Sequence, residues 1–305
     1  MNFPNSPRPH RLAPLASLLA LTGAVALSGC AWLPEREGPP RAEQVLALTA
    51  GGELIRFNAG QPRRVLSRVA LQGLPAGEQI IGIDFRVARG DLYALSRSAR
   101  LYIIDAASGQ LRAVGAGPAT AVPLVGTGFG FDFNPAADRI RVVSDAGQNL
   151  RLHPDTGANV DGNPELPGVQ GDPDLAYDGT DPQAARPPQV LAAAYTYNKK
   201  NDKLSTNFAI DAARGMLVLQ GSREGTQPAI SPNSGRLFTV GALGLGPLDE
   251  VAFDIADLNN TALAAVRSAG DKRTRLLLVN LDTGRAQALG TVGDGAPLLG
   301  MAIEP

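Results

Sequence analysis

Three observations on this 305-residue chain predict an all-β fold, a propeller of small antiparallel sheets set around an axis. A three-strand phrase recurs at a fixed pitch, its strands are continuous apolar runs, and remnants of one further copy stand at the two ends of the chain. The phrase is clearest from Gly130 to Gly157, GFDFNPAADRIRVVSDAGQNLRLHPDTG. A strand ending in Asp132-Phe133 leads into a Pro/Asp turn, and a second strand runs from Arg139 to Ser144. A two-residue turn at Ala146-Gly147 is expected next, then a third strand from Asn149 to His153 and a Pro-Asp-Thr-Gly turn.

Laid along the chain, the phrase returns at Gly82-Ile83-Asp84-Phe85, which is followed by DLYALS and RLYIIDAASGQLRAVG. It returns again at Ala252-Phe253-Asp254-Ile255, followed by TALAAV and TRLLLVNLDTGRAQALG, and a truncated copy stands at Gly300-Met301-Ala302-Ile303. A degenerate opening is read at Leu175-Ala176-Tyr177-Asp178. The clean pitch is 48 residues, as from Asp84 to Asp132 and again from Asp254 to Ala302. Repeats of this length with about four strands each are characteristic of propeller blades. Five openings predict five blades, with six as the alternative, because the interval from Leu175 to Ala252 is longer than one blade and shorter than two.

Residues 44–71, QVLALTAGGELIRFNAGQPRRVLSRVAL, supply three strands with no opening one, and the C-terminal GMAI supplies the missing strand. Pairing of the two termini would close the ring and remove its free edge. Runs such as LYIID and LLLVNL imply burial on both faces, as a sheet held between two neighbours requires. Val160 to Pro188 is rich in Gly, Pro and Asp and reads as loop, after which QVLAAAYTYN and LSTNFAID form a hairpin. No stretch carries a helical apolar period with caps.

The first 29 residues read as a targeting segment, with Arg8 and Arg11 preceding the apolar run LASLLALTGAVAL. Leu27-Ser28-Gly29-Cys30 is similar to a bacterial lipobox, whose cysteine is lipidated and becomes the mature N-terminus. The expected organisation is therefore a signal peptide over residues 1–29, a lipidated tether over 30–43 and a single propeller domain over 44–305. The apolar run is too short to span a bilayer comfortably, so membrane attachment is expected through acyl chains on Cys30. Ala31 in place of Asp resembles the outer-membrane sorting signal of enterobacterial lipoproteins. The location read from this is the bacterial cell envelope, at the periplasmic face or the surface of the outer membrane.

The order of the pieces GELIRFNAG, IIGIDFR, LYALS, LYIID, GFGFDFNPAADRIRVVSDAGQNLRLHPDTG, VLAAAYTYN, VAFDI and LLLVNLDTG resembles the bacterial domain-of-unknown-function family 4394 (DUF4394). The resemblance spans about residues 44–303, and Gly128 to Gly157 is its most specific block. It implies a propeller-like fold and an envelope location, and no reaction.

Chemistry has to be sought in the residues. Lys plus Arg number 28 against 29 Asp plus Glu, a balance that gives no electrostatic case for nucleic acid. Aromatic residues, at 5%, are few for stacking sugars or bases. Past the targeting segment the chain has one histidine, His153, and Cys30 is its only cysteine, which leaves thiol catalysis and His-rich zinc sites without residues. Ser144, Asp145 and His153 fail as a triad, since about 13 Å of strand separates Ser144 from His153.

The recurring Asp84, Asp132 and Asp254, with Asp178 as a weaker fourth, fall on strands expected to line the axis. They are candidates for a carboxylate ring that holds Ca²⁺ or a cationic ligand, or else for ties to backbone N–H groups of their own blades. Ala302 at the matching place in the GMAI copy leaves such a ring incomplete. Gln148 and Asn149 are candidate ligand contacts at a channel mouth. With the two-residue turn, Arg141 and Arg151 fall on opposite faces of their hairpin, each calling for a carboxylate from an adjacent blade. Gly126-Thr127-Gly128-Phe129-Gly130 precedes no helix and reads as close packing near the axis, not as a dinucleotide loop. No cofactor is expected unless Ca²⁺ binds the acids. Two functions remain. One is a non-enzymatic envelope scaffold that binds a protein or glycan; the other is a carboxylate- or metal-dependent hydrolase or lyase acting in the channel.

Overall fold

Strand β1 (Gln44–Thr49) and β2 (Glu53–Asn58) form an antiparallel hairpin, and β3 (Gln61–Ala70) pairs on its outer side. The innermost strand of this sheet comes from the far end of the chain: β20 (Leu298–Ile303) lies antiparallel to β1, with Val45 opposite Ile303 and Ala47 opposite Met301. The two termini therefore share one blade, as the complementary remnants predict. The computed structural model describes residue 1 and residues 37–115 and 122–305. Cys30, the targeting segment after Met1 and residues 31–36 of the tether lie outside the described residues. Among the described residues no helix is long and apolar enough to cross a membrane.

Four more sheets complete a five-bladed propeller. The second blade holds β4 (Ile80–Arg86), β5 (Asp91–Ser96), β6 (Leu101–Ile104) and β7 (Leu111–Ala113). The third has only β8 (Phe129–Asn134), β9 (Arg139–Ser144) and β10 (Asn149–Leu152). In the fourth, β12 (Val190–Tyr195), β13 (Asn207–Asp211), β14 (Met216–Gln220) and β15 (Arg236–Ala242) are joined at the outer edge by the two-residue β11 (Ala176–Tyr177), which runs parallel to β15. The fifth holds β16 (Leu248–Ile255), β17 (Ala262–Ser268), β18 (Asp271–Val279) and β19 (Ala286–Thr291).

The blade count is five as expected, but one opening is elsewhere. The fourth axial strand is Val190–Tyr195, and the segment at Leu175 to Asp178 forms an outer edge instead. Asp178 is accordingly absent from the axis. Its carboxylate accepts from the Thr180 hydroxyl at 2.6 Å and N–H at 3.0 Å and from Arg236 Nε at 2.7 Å, which hold it at a pKa of about 2.

Five apolar clusters, one per blade interface, make up the core. Tyr102, Ile104, Ile83 and Leu54 pack between the first and second blades, and Leu277, Phe253, Ile210 and Phe208 between the fourth and fifth. The third and fourth blades share the smallest cluster, centred on Val143, Tyr177, Val190 and Leu237. The sequence D/H/N-x-x-S/T-G closes three of the blades' third strands by one device. Asp105, His153 and Asn280 each accept the backbone N–H two residues on, at 2.9, 3.2 and 3.0 Å, before a glycine at positive φ. His153 thus serves as a turn acceptor.

The hairpin β9–β10 departs from its expected register. Ser144 N–H donates to Gln148 O, so the loop has three residues, Asp145 to Gly147, with Gly147 at φ 84°. One extra residue in the loop shifts the pairing by one and moves side chains to the other face. Arg151 therefore stands directly opposite Arg141, and both grip one carboxylate, Asp172, at 2.7–2.8 Å. Asp172 comes from the connection between the third and fourth blades. The two arginines share it, in place of the separate adjacent-blade partners expected.

The ring closure and the close axial packing each yield an expected outcome. A chain ending at Pro297 lacks β20 and exposes the first blade's inner edge, so it is expected to lose cooperative urea unfolding. Gly130→Ala places a methyl 2.7 Å from Ala193 N and 2.8 Å from Ala192 Cα. It is expected to lower unfolding free energy by about 1–3 kcal/mol, while Gly179→Ala, where a methyl meets nothing within 4 Å, leaves it unchanged.

Candidate functional site on the propeller axis

The five axial strands carry one pattern: a small residue, an apolar residue, Asp or Ala, then a large residue. It reads Gly300-Met301-Ala302-Ile303, Gly82-Ile83-Asp84-Phe85, Gly130-Phe131-Asp132-Phe133, Ala192-Ala193-Ala194-Tyr195 and Ala252-Phe253-Asp254-Ile255. First and third positions share a face, because side chains alternate along a strand. The small residues let the strands converge: a methyl on Gly82 would lie 2.6 Å from Phe131 Cβ, and one on Gly300 would lie 2.9 Å from Ile83 N. What remains between them is a cavity of about 20 Å³, bounded by Gly82, Gly130, Ala192, Ala252 and Gly300. That is room for about one water molecule.

Above this constriction, toward the N-terminal ends of the axial strands, the protein opens into a funnel of about 610 Å³. Arg97, Thr127, Asp145, Gln189, Asp249 and Glu250 give it a mixed polar wall. Two residues beyond the constriction, toward the other end, stand Asp84, Asp132 and Asp254. All three are buried, and each presents an oxygen within 4.8 Å of the others. The pattern supplies an acid in three blades and alanine in two.

Each acid stitches its strand to the next. Asp84 Oδ2 accepts from Phe133 N–H at 2.7 Å, Asp132 Oδ1 from Tyr195 N–H at 2.9 Å, and Asp254 Oδ2 from Ile303 N–H at 2.6 Å. Every donor is the residue following the matching position of the neighbouring blade. The acids are therefore ties between blades, where ties within a blade were the expectation. Asp254 also accepts from Ile255 N–H of its own strand at 2.6 Å.

Three buried carboxylates this close cannot all stay ionised without compensation. At an effective dielectric constant near 20, two charges about 5 Å apart repel by about 3 kcal/mol, as much as a hydrogen bond to a charged group contributes. Burial first, then repulsion from Asp254, pushes the Asp84 carboxyl well above the ordinary range. Burial, with Asp84 and Asp254 behind it, does the same to Asp132. Burial raises Asp254 to about 6, against its two backbone donors. The Tyr197 phenol is likewise pushed up by burial and by the three acids. Its backbone is held by Asn260, which accepts from Tyr197 N–H at 2.8 Å and donates to Tyr197 O at 3.0 Å. Three hard oxygen donors at this spacing suit part of a Ca²⁺ shell, and protons can do the same neutralising work.

The other candidates lie off the axis. Gln148, at the hairpin turn, accepts from Val125 N–H and donates to Pro123 O, which pins the loop before β8. Asn149 is fully buried on β10, where its Oδ1 accepts from Arg141 and from Gln220. Tyr197 and the fourth axial strand were not found from sequence. Alanine in place of Asp hid VLAAAY from a search keyed on the acid, whereas the small–apolar–Asp/Ala–large pattern would have found it.

A pH dependence follows. The folded state retains protons that the unfolded chain releases above about 3.8, so these acids favour folding in acid and lose that contribution as pH rises from about 4 through 6 and beyond. In Asp132→Asn the amide oxygen still accepts the Tyr195 N–H while one charge is gone. Its melting temperature relative to the unsubstituted protein is expected to rise steadily between pH 4 and pH 8 in chelator-treated samples. A difference independent of pH would contradict this reading.

A chain of a nidogen/laminin complex superposes with a TM-score of 0.46 at 11% identity, over 86% of this chain and 98% of that one. A chain of Kuenenia stuttgartiensis hydrazine synthase superposes with a TM-score of 0.37 at 9% identity, over 73% of this chain and 51% of that one. No curated protein matches the sequence. The profile described as "Domain of unknown function (DUF4394)" matches residues 53–302, and the chain belongs to that family.

Proposed function

We infer that this chain is an envelope lipoprotein whose propeller is a binding scaffold. Cys30 carries the lipid that holds it at the outer membrane, the residues after it link that anchor to the domain, and the funnel receives a protein or glycan partner. The observation that carries the scaffold reading is the constriction. About 20 Å³ between the funnel and the carboxylates leaves no space for a substrate beside them, and each of the three acids is engaged in an inter-blade bond. The funnel, at about 610 Å³, has the size of a ligand site and a wall of both charges. Anchoring rests on Leu27-Ser28-Gly29-Cys30 and the apolar run before it.

A second reading, a carboxylate- or metal-dependent hydrolase or lyase, is favoured by one feature, the convergence of Asp84, Asp132 and Asp254 within 4.8 Å. Calcium titration at pH 7 separates the two. A rise in melting temperature that Asp132→Asn abolishes supports the second reading; no response supports a scaffold that needs no cofactor.

The anchor is tested in a bacterial host by radiolabelled palmitate incorporation and detergent-phase partitioning. The unsubstituted chain is expected to take up label and enter the detergent phase, and Cys30→Ser to do neither. Equal labelling of both, or of neither, removes the lipoprotein reading.

A further inference from the structure

The third blade stops at three strands, and between it and the fourth blade lies a pocket of about 600 Å³. Its wall is cationic although the chain as a whole is nearly neutral. Arg139, Arg141, Arg151, Lys203 and Arg223 line it, against a single lining carboxylate, Glu224. The register of β9–β10 explains the concentration, since Arg139, Arg141 and Arg151 share one face.

Not all of this charge is free. Arg141, only 2% exposed, is held by Asp172, Asn149, Asn233 and the Tyr195 hydroxyl, and Arg151 grips Asp172 with two bonds. One carboxylate thus serves two guanidiniums, which leaves a positive charge uncompensated at the base of the pocket. Arg223 leans on Asp282 at 3.4 Å and donates to Leu281 O. Arg139 donates only to the carbonyl of Asp138, and Arg139 and Lys203 have no carboxylate partner among the described residues. The rim is therefore cationic over a base whose own charge is not balanced. Between the charges lie apolar surfaces of Ala136, Leu204 and Ile230.

We propose that this lateral pocket binds a small oxyanion, a carboxylate- or phosphate-bearing molecule no larger than a disaccharide, with Arg139 and Lys203 as its charge-pairing groups. The volume falls within the ordinary range of small-molecule sites. Arg141 and Arg151, fixed by Asp172, act as a preorganised positive floor. The site is independent of the funnel and of the lipid anchor, and it stands or falls apart from them.

The test is isothermal titration at low ionic strength with three probes: inorganic phosphate, glucuronate and neutral glucose. Saturable binding of phosphate or glucuronate tighter than about 1 mM, weakened by added salt and absent for glucose, is expected. Which anion binds more tightly identifies the phosphate or the carboxylate as the recognised group. The double variant Arg139→Ala/Lys203→Ala is expected to lose affinity at least about 10-fold with an unchanged melting temperature, because neither side chain holds a carboxylate of the fold. Lys272→Ala, on the fifth blade and paired with Asp249, serves as the control and is expected to bind like the parent. Absence of saturable anion binding, or undiminished binding by the double variant, overturns the proposal.

Discussion

A blade here is a single sheet with apolar side chains on both faces, and a single sheet cannot bury either face by itself. The stable solution is to place every blade between two others and to let no blade be first or last. That constraint accounts for the apolar runs of β5, β6, β17 and β18, for the five interface clusters, and for the β20–β1 pairing. Burial of an apolar side chain is worth about 1.5–3 kcal/mol, so an unclosed ring would forfeit several such contributions on two faces at once.

Closure makes a further demand where five strands meet. The axial strands approach through Gly82, Gly130, Ala192, Ala252 and Gly300, yet neighbouring blades do not form a backbone ladder with one another. Side-chain carboxylates take over that role, reaching across to the N–H groups of Phe133, Tyr195 and Ile303. Strong acceptors are gained at the cost of bringing like charges together, and the raised proton affinities of Asp84, Asp132 and Asp254 express that cost. Alanine at 194 and 302 keeps the ring at three acids. The axis is a structural fastening with a latent electrostatic response.

The third blade solves its edge differently. After the turn at His153 to Gly157 the chain is too rich in Gly, Pro and Asp for a fourth strand, and the loop itself covers β10, with Val160 N–H bonded to Arg151 O and Asp172 N–H to Asn149 O. Polar side chains then fill what apolar ones fill elsewhere. Arg141 is buried because Asp172, Asn149, Asn233 and Tyr195 satisfy it together, and unpairing such a buried charge typically costs about 3–5 kcal/mol. The pocket between the third and fourth blades is lined by the same two arginines.

Local sequence determined the strands, the repeated turns, the shared terminal blade and the three acids of the axis, because each is written in neighbouring residues: apolar runs, turn glycines, and an Asp set between apolar residues. Tertiary structure alone decided that Leu175 to Asp178 is an edge and that Arg141 and Arg151 share Asp172. These depend on register and on distant partners. A loop of three residues in place of two reverses which face a side chain takes, and an alanine can stand where an aspartate is expected once the blade on each side supplies the remaining contacts.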